Sequence, residues 1–156
     1  MAVALRPLRG DELPAWLERH RRWYAADMVA HGGLREETAR AKADHDVAAL
    51  FPEGRPAEGS VLLVVEEDGE PAGSVWFAGR DGPGGRHAFL YALEIDESRR
   101  GRGLGREAMR LFEEEARARG FRSAMLNVFG GNEVARGLYR SLGWEETSVH
   151  MRKELA

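Results

Sequence analysis

The stretch from His87 to Phe129 constrains this chain more than any other. It opens with "HAFLYALEID" at 87–96, an apolar and aromatic run that reads as a strand. Arginines and glycines then crowd "ESRRGRGLGREAM", after which Gly105, Ala108, Met109, Phe112 and Ala116 recur at i, i+3, i+4, i+7 and i+11. That spacing draws one apolar helix stripe, and Gly120 closes it. "FRSAMLNVF" at 121–129 is a second strand. A strand, a helix and a strand in this order imply a right-handed crossover and a parallel strand pair.

The flanks add antiparallel strands and helices. "VALRPL" at 3–8 can be a short strand, and Asp11 with Pro14 marks a helix start. Leu13, Trp16, Leu17, His20, Trp23, Tyr24 and Met28 then form a stripe that "HGG" at 31–33 ends. An alanine-rich second helix spans Leu34 to about Phe51. "SVLLVVEE" and "EPAGSVWFAG" should pair antiparallel about Asp68 and Gly69, a favoured two-residue hairpin turn. "RDGPGGR" at 80–86 reads as a flexible loop. After the crossover, "GGNEVARGLYRSLG" makes a short helix with Asn132 as N-cap and Gly143 as stop, and "WEETSVHMRKEL" supplies one or two final strands. The expectation is an α/β (mixed α+β) single domain over residues 1–156. Its central sheet is mixed and mostly antiparallel, with the fourth and fifth strands parallel and helices on both faces.

Composition removes several classes of function. A net charge of −3 argues against bulk attraction to nucleic acid or an anionic membrane, so any anion site must be local. The absence of cysteine removes disulfides, thiolate metal sites and a thiol nucleophile together. His20, His31, His45, His87 and His150 form no i, i+4 pair, which points to no metal. "MAVALRPLRGDEL" lacks an apolar leader, and no segment reaches the roughly 20 apolar residues of a spanning helix. A cytoplasmic protein without nucleic-acid or membrane partners is expected.

The glycine loop at 98–109 can be tested against known phosphate cradles. A nucleotide-triphosphate loop needs Lys and then Ser or Thr after its last glycine, but Arg106 and Glu107 follow Gly105. A dinucleotide fingerprint needs a glycine where Arg106 stands. What remains is a set of N–H groups from Arg100 to Gly105 converging on a helix N-terminus, a fit for pyrophosphate. A plain strand-to-helix turn with solvated arginines would look the same. Seven residues apart on the last helix, Asn132 and Tyr139 lie on nearly one stripe, thinned by Ala135 between them. They are either a paired donor and phenol or merely a cap and a half-buried aromatic.

Taken together, "LEIDESRRGRGLGREAM" and "NVFGGNEVARGLYRSLGW" resemble the two diagnostic motifs of the GNAT superfamily of acetyl-CoA-dependent N-acetyltransferases. Arg100, Gly103 and Gly105 match the first; Asn132, Ala135 and Tyr139 match the second, followed by Gly143 and Trp144. The resemblance covers about residues 87–146 and implies acetyl-CoA as co-substrate. Its pyrophosphate would rest on Arg100, Gly101, Arg102, Gly103, Leu104, Gly105 and Arg106, with Asn132 also on the cofactor. Arg99, Arg102 or Arg106 would reach the ribose phosphate. The pantetheine arm would pair with the strand at Leu93 to Ile95, where the family splays its sheet with a bulge that no glycine or proline marks in this sequence.

The implied chemistry is direct attack of a primary amine, from a small molecule or a peptide, on the thioester. Glu94 is the candidate base, acting through water, and strand alternation puts it on the face opposite Leu93 and Ile95. A strand N–H near Ile95 would face the developing oxyanion, and Tyr139 would act as general acid to the coenzyme A thiolate. Trp23, Tyr24, Trp76, Phe77 and Tyr91 could line the acceptor pocket or belong to the core. The alternative is a catalytically reduced acyl-CoA-binding sensor of the same fold. Edge strands at the C-terminus are compatible with a homodimer.

Overall fold

Five strands form one sheet in the order β1-β2-β3-β4-β5 in the computed structural model, which describes residues 1–156. They are β1 (Val3–Pro7), β2 (Ser60–Glu67), β3 (Glu70–Gly82), β4 (Gly85–Ile95) and β5 (Ala124–Leu126). Neighbours from β1 to β4 are antiparallel, and β4 with β5 is parallel, as the crossover requires. The β2–β3 turn holds Asp68 at φ 52° and Gly69 at φ 82°, the two left-handed residues that a twisted two-residue hairpin demands.

Four α-helices cover the sheet: α1 (Leu13–Gly32), α2 (Glu36–Leu50), α3 (Leu104–Ala118) and α4 (Glu133–Ser141). The α3 stripe of Leu104, Ala108, Met109, Phe112 and Ala116 is buried against Val65, Val75, Phe77 and Leu90. Each large side chain buried there contributes roughly 1.5–3 kcal/mol. On the opposite face Trp16 and Leu17 of α1 join Val47 and Phe51 around Trp76 and Ala92. The alanines that give α2 little apolar bulk have a use: Ala39 and Ala43 are fully buried against Met28, letting the two helices approach closely.

Three expectations need correction. The segment 80–86 is mostly strand, since Arg80 pairs with His87, Asp81 with Arg86 and Gly82 with Gly85, leaving only Pro83 and Gly84 in the turn. A stacked cation and an ion pair hold it, with the Arg80 guanidinium 4.4 Å from the Phe89 ring centroid and Arg86 3.3 Å from Asp81. The strand expected at 121–129 is confined to Ala124–Leu126, because β4 turns away from it past Leu90. Finally, residues 144–156 form no strand; Val149 and Met151 stand exposed, and the alternating pattern there meets no partner.

Candidate active site

A bulge in β4 opens the site. Trp76 pairs with Ala92 but the next residue, Phe77, pairs with Leu90, so Tyr91 is the extra residue. An extra residue bends its strand and increases the local twist. β5 accordingly follows β4 only at Ala88–Leu90, and beyond that point the two strands part. Tyr91 is kept in place by its ring, stacked 4.5 Å from that of Trp76 at 18°.

The parting leaves a cleft of about 50 Å³. Leu90 to Leu93 form one wall, and Leu126 to Val128 form the other. Asn132 and Tyr139 enter from α4, Trp23 and Asp27 from α1. Asn132 is the N-cap of α4: its Oδ1 accepts from the Ala135 N–H at 3.2 Å, which commits the oxygen and leaves the amide nitrogen for other partners. Tyr139 is half-buried one helix stripe away. Burial pushes its phenol pKa above the ordinary value, and the Asp27 carboxylate pushes the same way, so the hydroxyl keeps its proton at neutral pH.

The arginine and glycine loop lies between β4 and α3. Gly101 (φ 80°) and Gly103 (φ 82°) occupy the left-handed region where a side chain would be strained. No N–H from Gly101 to Arg106 donates to a backbone carbonyl, whereas the neighbouring Arg100 N–H bonds Glu97 O at 3.3 Å and the Glu107 N–H bonds Gly103 O at 3.2 Å. Six consecutive donors at a helix N-terminus make an anion site. The arginines divide into two groups. Arg99 donates to Glu67 (2.7 Å) and Glu70 (2.9 Å), and Arg102 donates to Glu67 (2.9 Å), so both brace the loop on the β2–β3 hairpin. Arg100 turns its Nε back to Ile95 O at 2.9 Å, while Arg106 stays exposed.

Alternation along β4 separates the remaining candidates. Leu93 and Ile95 pack on the α3 side with Leu138 and Tyr139. Glu94 points to α1, where its Oε2 lies 2.8 Å from His20 Nδ1. His20 is only 3% exposed and stacks on Trp16 at 4.9 Å and 4°. Leu93, Asn132 and Tyr139 therefore share the cleft, and Glu94 is held on the other face of the strand.

Of the aromatic candidates, Trp23 and Tyr91 line the cleft, while Trp76 and Phe77 are core on opposite faces. Tyr24 donates to Asp46 at 2.8 Å, and burial together with that carboxylate pushes its phenol up to about 12. Sequence reasoning did not single out Asp27 or the pairing role of His20. The signal for Asp27 was its place four residues after Trp23 and beside Met28 on the α1 stripe, where a carboxylate interrupts an apolar series. No three His, Asp or Glu side chains gather as a metal ion would need, and no helix is long and apolar enough to cross a membrane.

Residues 15–144 match the family described as Acetyltransferase (GNAT) family. The uncharacterized N-acetyltransferase YdgE of Bacillus subtilis (strain 168) is 29% identical over 156 residues, covering 99% of both chains. YycN of the same organism is 28% identical; its crystal structure superposes with a TM-score of 0.90 and covers 99% of each chain. A Clostridium acetobutylicum protein described as a predicted acetyltransferase and solved with acetyl-CoA shares the fold, with a TM-score of 0.63 at 14% identity over 98% of this chain and 96% of that one. With the loop, the bulged strand and the capped helix arranged as described and the family matched across most of the sequence, the chain belongs to the acetyltransferase (GNAT) family.

Proposed function

We propose that the protein transfers the acetyl group of acetyl-CoA to a primary amine of a small molecule or peptide by direct attack. The observation that carries this reading is the run of six unpaired N–H groups at the mouth of α3, in the loop that follows the strand β4 whose residues Leu90 to Leu93 wall the cleft with Tyr139. A diphosphate fits such a cradle, because its oxygens accept what the helix end and the left-handed glycines offer. We infer that the arm's corridor from cradle to phenol passes Ile95 and Leu138, the side chains nearest Gly105. A Cβ at Gly105 would lie 4.0 Å from the first and 3.9 Å from the second, in ordinary van der Waals contact, so a side chain there would crowd that corridor. Past Leu90, β4 has no neighbour on its β5 side, which leaves backbone groups open to an extended arm.

Acetyl-CoA would supply an activated acyl thioester there. The chain's residues bind, orient and move protons around it. Asn132, at the cleft wall, has an amide nitrogen free to donate to the arm, and Tyr139 holds a proton that a departing thiolate can take. Glu94, fixed by His20, receives the amine's proton through water. The absence of cysteine fits a route with no acetyl-enzyme.

Two measurements on the full chain test the reading. Calorimetric titration with coenzyme A is expected to give saturable binding. Acetyl-CoA consumption against a panel of alkyl amines, peptides with free N-termini and aminoglycosides is expected to find an acceptor. Absence of coenzyme A binding would overturn the proposal.

A further inference from the structure

The cleft contains one acidic side chain that the reaction above does not use. Asp27 lines it, half-buried, with no hydrogen bond to any group of the chain. The one neighbour that acts to favour its charged form is His31, one helical turn further on. Burial pushes the Asp27 carboxyl above its ordinary value, which favours the neutral acid while the cleft is empty, and an arriving cation would stabilise the charged form. Tyr139 lies close enough to feel the Asp27 charge. Trp23, four residues earlier on the same helix face, presents an aromatic ring to the same space. Charge is thus divided along the site, with arginines and free amides at the α3 mouth and a lone carboxylate at the α1 end.

We infer that Asp27, with the Trp23 ring beside it, is the receptor for the acceptor's ammonium group and so selects amines that are cationic at neutral pH over neutral amines and alcohols. The inference rests on the acetyl-transfer reading and names the substrate class for it. Asp27 holds the cation next to Tyr139, and the ring face adds a cation–π contact.

The test compares the wild-type chain with Asp27→Asn and Asp27→Glu. The probes are 1,4-diaminobutane, a tripeptide with a free N-terminal alanine, and kanamycin, with whichever the wild type acetylates best used throughout. Steady-state kinetics give KM and kcat, and calorimetry gives coenzyme A affinity and the affinity of the amine for the coenzyme A-saturated protein. The expected result for D27N is a rise of about tenfold or more in KM and in the amine Kd, equivalent to ~1.4 kcal/mol. Its coenzyme A affinity should stay at the wild-type value, and D27E should recover part of the loss. An unchanged amine Kd in D27N, or a loss confined to kcat, overturns the assignment of Asp27 while acetyl transfer stands. A wild type that binds coenzyme A yet acetylates none of the three overturns both the cationic acceptor and amine transfer.

Discussion

His20 and Glu94 meet across the interface of α1 with the sheet, Nδ1 to Oε2 at 2.8 Å, although 74 residues separate them in the chain. The imidazole is fixed by more than this bond. It stacks on Trp16, whose indole N–H donates to Ser74 Oγ at 2.8 Å, and Ser74 is the residue opposite Glu94 in the β3–β4 register. These contacts hold the Glu94 carboxylate in one orientation, on the face of β4 opposite Leu93 and Tyr139.

Glu94→Gln separates structure from chemistry at this point. The amide oxygen can still accept from His20 Nδ1–H, so the variant should unfold within a few degrees of the wild type in a thermal melt. Turnover of an amine acceptor should nevertheless fall by roughly 10²–10⁴, the usual contribution of a positioned base. Wild-type turnover in this variant would leave Glu94 as no more than a structural partner of His20.

Tyr139 carries a prediction in pH as well as in rate. Because burial and Asp27 push its phenol up, the protonated form persists beyond the range of a free phenol. If the reaction depends on that proton, the alkaline limb of the kcat profile should lie above pH 10. Tyr139→Phe should lower kcat by about 10²–10³ with little change in coenzyme A affinity, read by steady-state kinetics and calorimetry together.

Tyr24 provides a stability test with a definite sign. Its phenol is raised from 10.0 to about 12 in the folded chain, by burial first and by Asp46 second. Below pH 10 both folded and unfolded chains keep this proton, and the full contribution is present. As pH rises from 10 towards 12 the unfolded chain loses the proton first, so stability declines across that window. Urea midpoints measured across it should decline with pH, and Tyr24→Phe should flatten the part of that decline that Tyr24 causes.

Gly105→Ala is the sharpest probe of the corridor. Gly105 lies inside α3 with ordinary helical backbone, and an added Cβ would meet only van der Waals neighbours at 3.9 and 4.0 Å. The fold therefore gives no reason for a glycine; alanine is a better helix former by up to about 1 kcal/mol. The melting temperature should hold or rise, while coenzyme A affinity should fall by roughly tenfold as the methyl narrows the space between Ile95 and Leu138. Unaltered affinity in a stable variant would remove the arm from that corridor.

What the sequence made legible was local. The α3 stripe, the Asp68–Gly69 turn and the Asn132 cap each follow from chemistry within a few residues, and each forms as read. The features that escaped are those created by distant neighbours. The β4 bulge is expected from the family resemblance alone, and its place at Tyr91, beside the stacked ring of Trp76 on the adjacent strand, is one no local pattern encodes. Arg99 and Arg102 also pair with Glu67, only 5% exposed on the neighbouring hairpin, a bracing that their own stretch of sequence does not announce. The glycines of 80–86 suggested looseness, but cross-strand pairing with an ion pair and a stacked arginine outweighs their conformational freedom.

Gly73 links the sheet's architecture to Glu94 more tightly than any side chain does. A Cβ built there would lie 2.1 Å from the Glu94 carbonyl oxygen and 3.1 Å from Ile95 Cα, and both obstacles are backbone atoms that no rotamer change can clear. β3 and β4 approach closely because this position lacks a side chain, and that approach sets where Glu94, Ile95 and the following loop begin. Gly73→Ala must push β4 outward. The expected cost is about 1–3 kcal/mol, the range for forcing extra atoms into a packed region, measured as a lowered urea midpoint. The displacement should also reach the site, because Asp96 N–H bonds Ala72 O at 2.9 Å and anchors the start of the arginine loop to the same stretch of β3. Coenzyme A affinity should consequently fall in any Gly73→Ala protein that still folds. A variant with full stability and full affinity would show that the loop is positioned from α3 and not from the sheet.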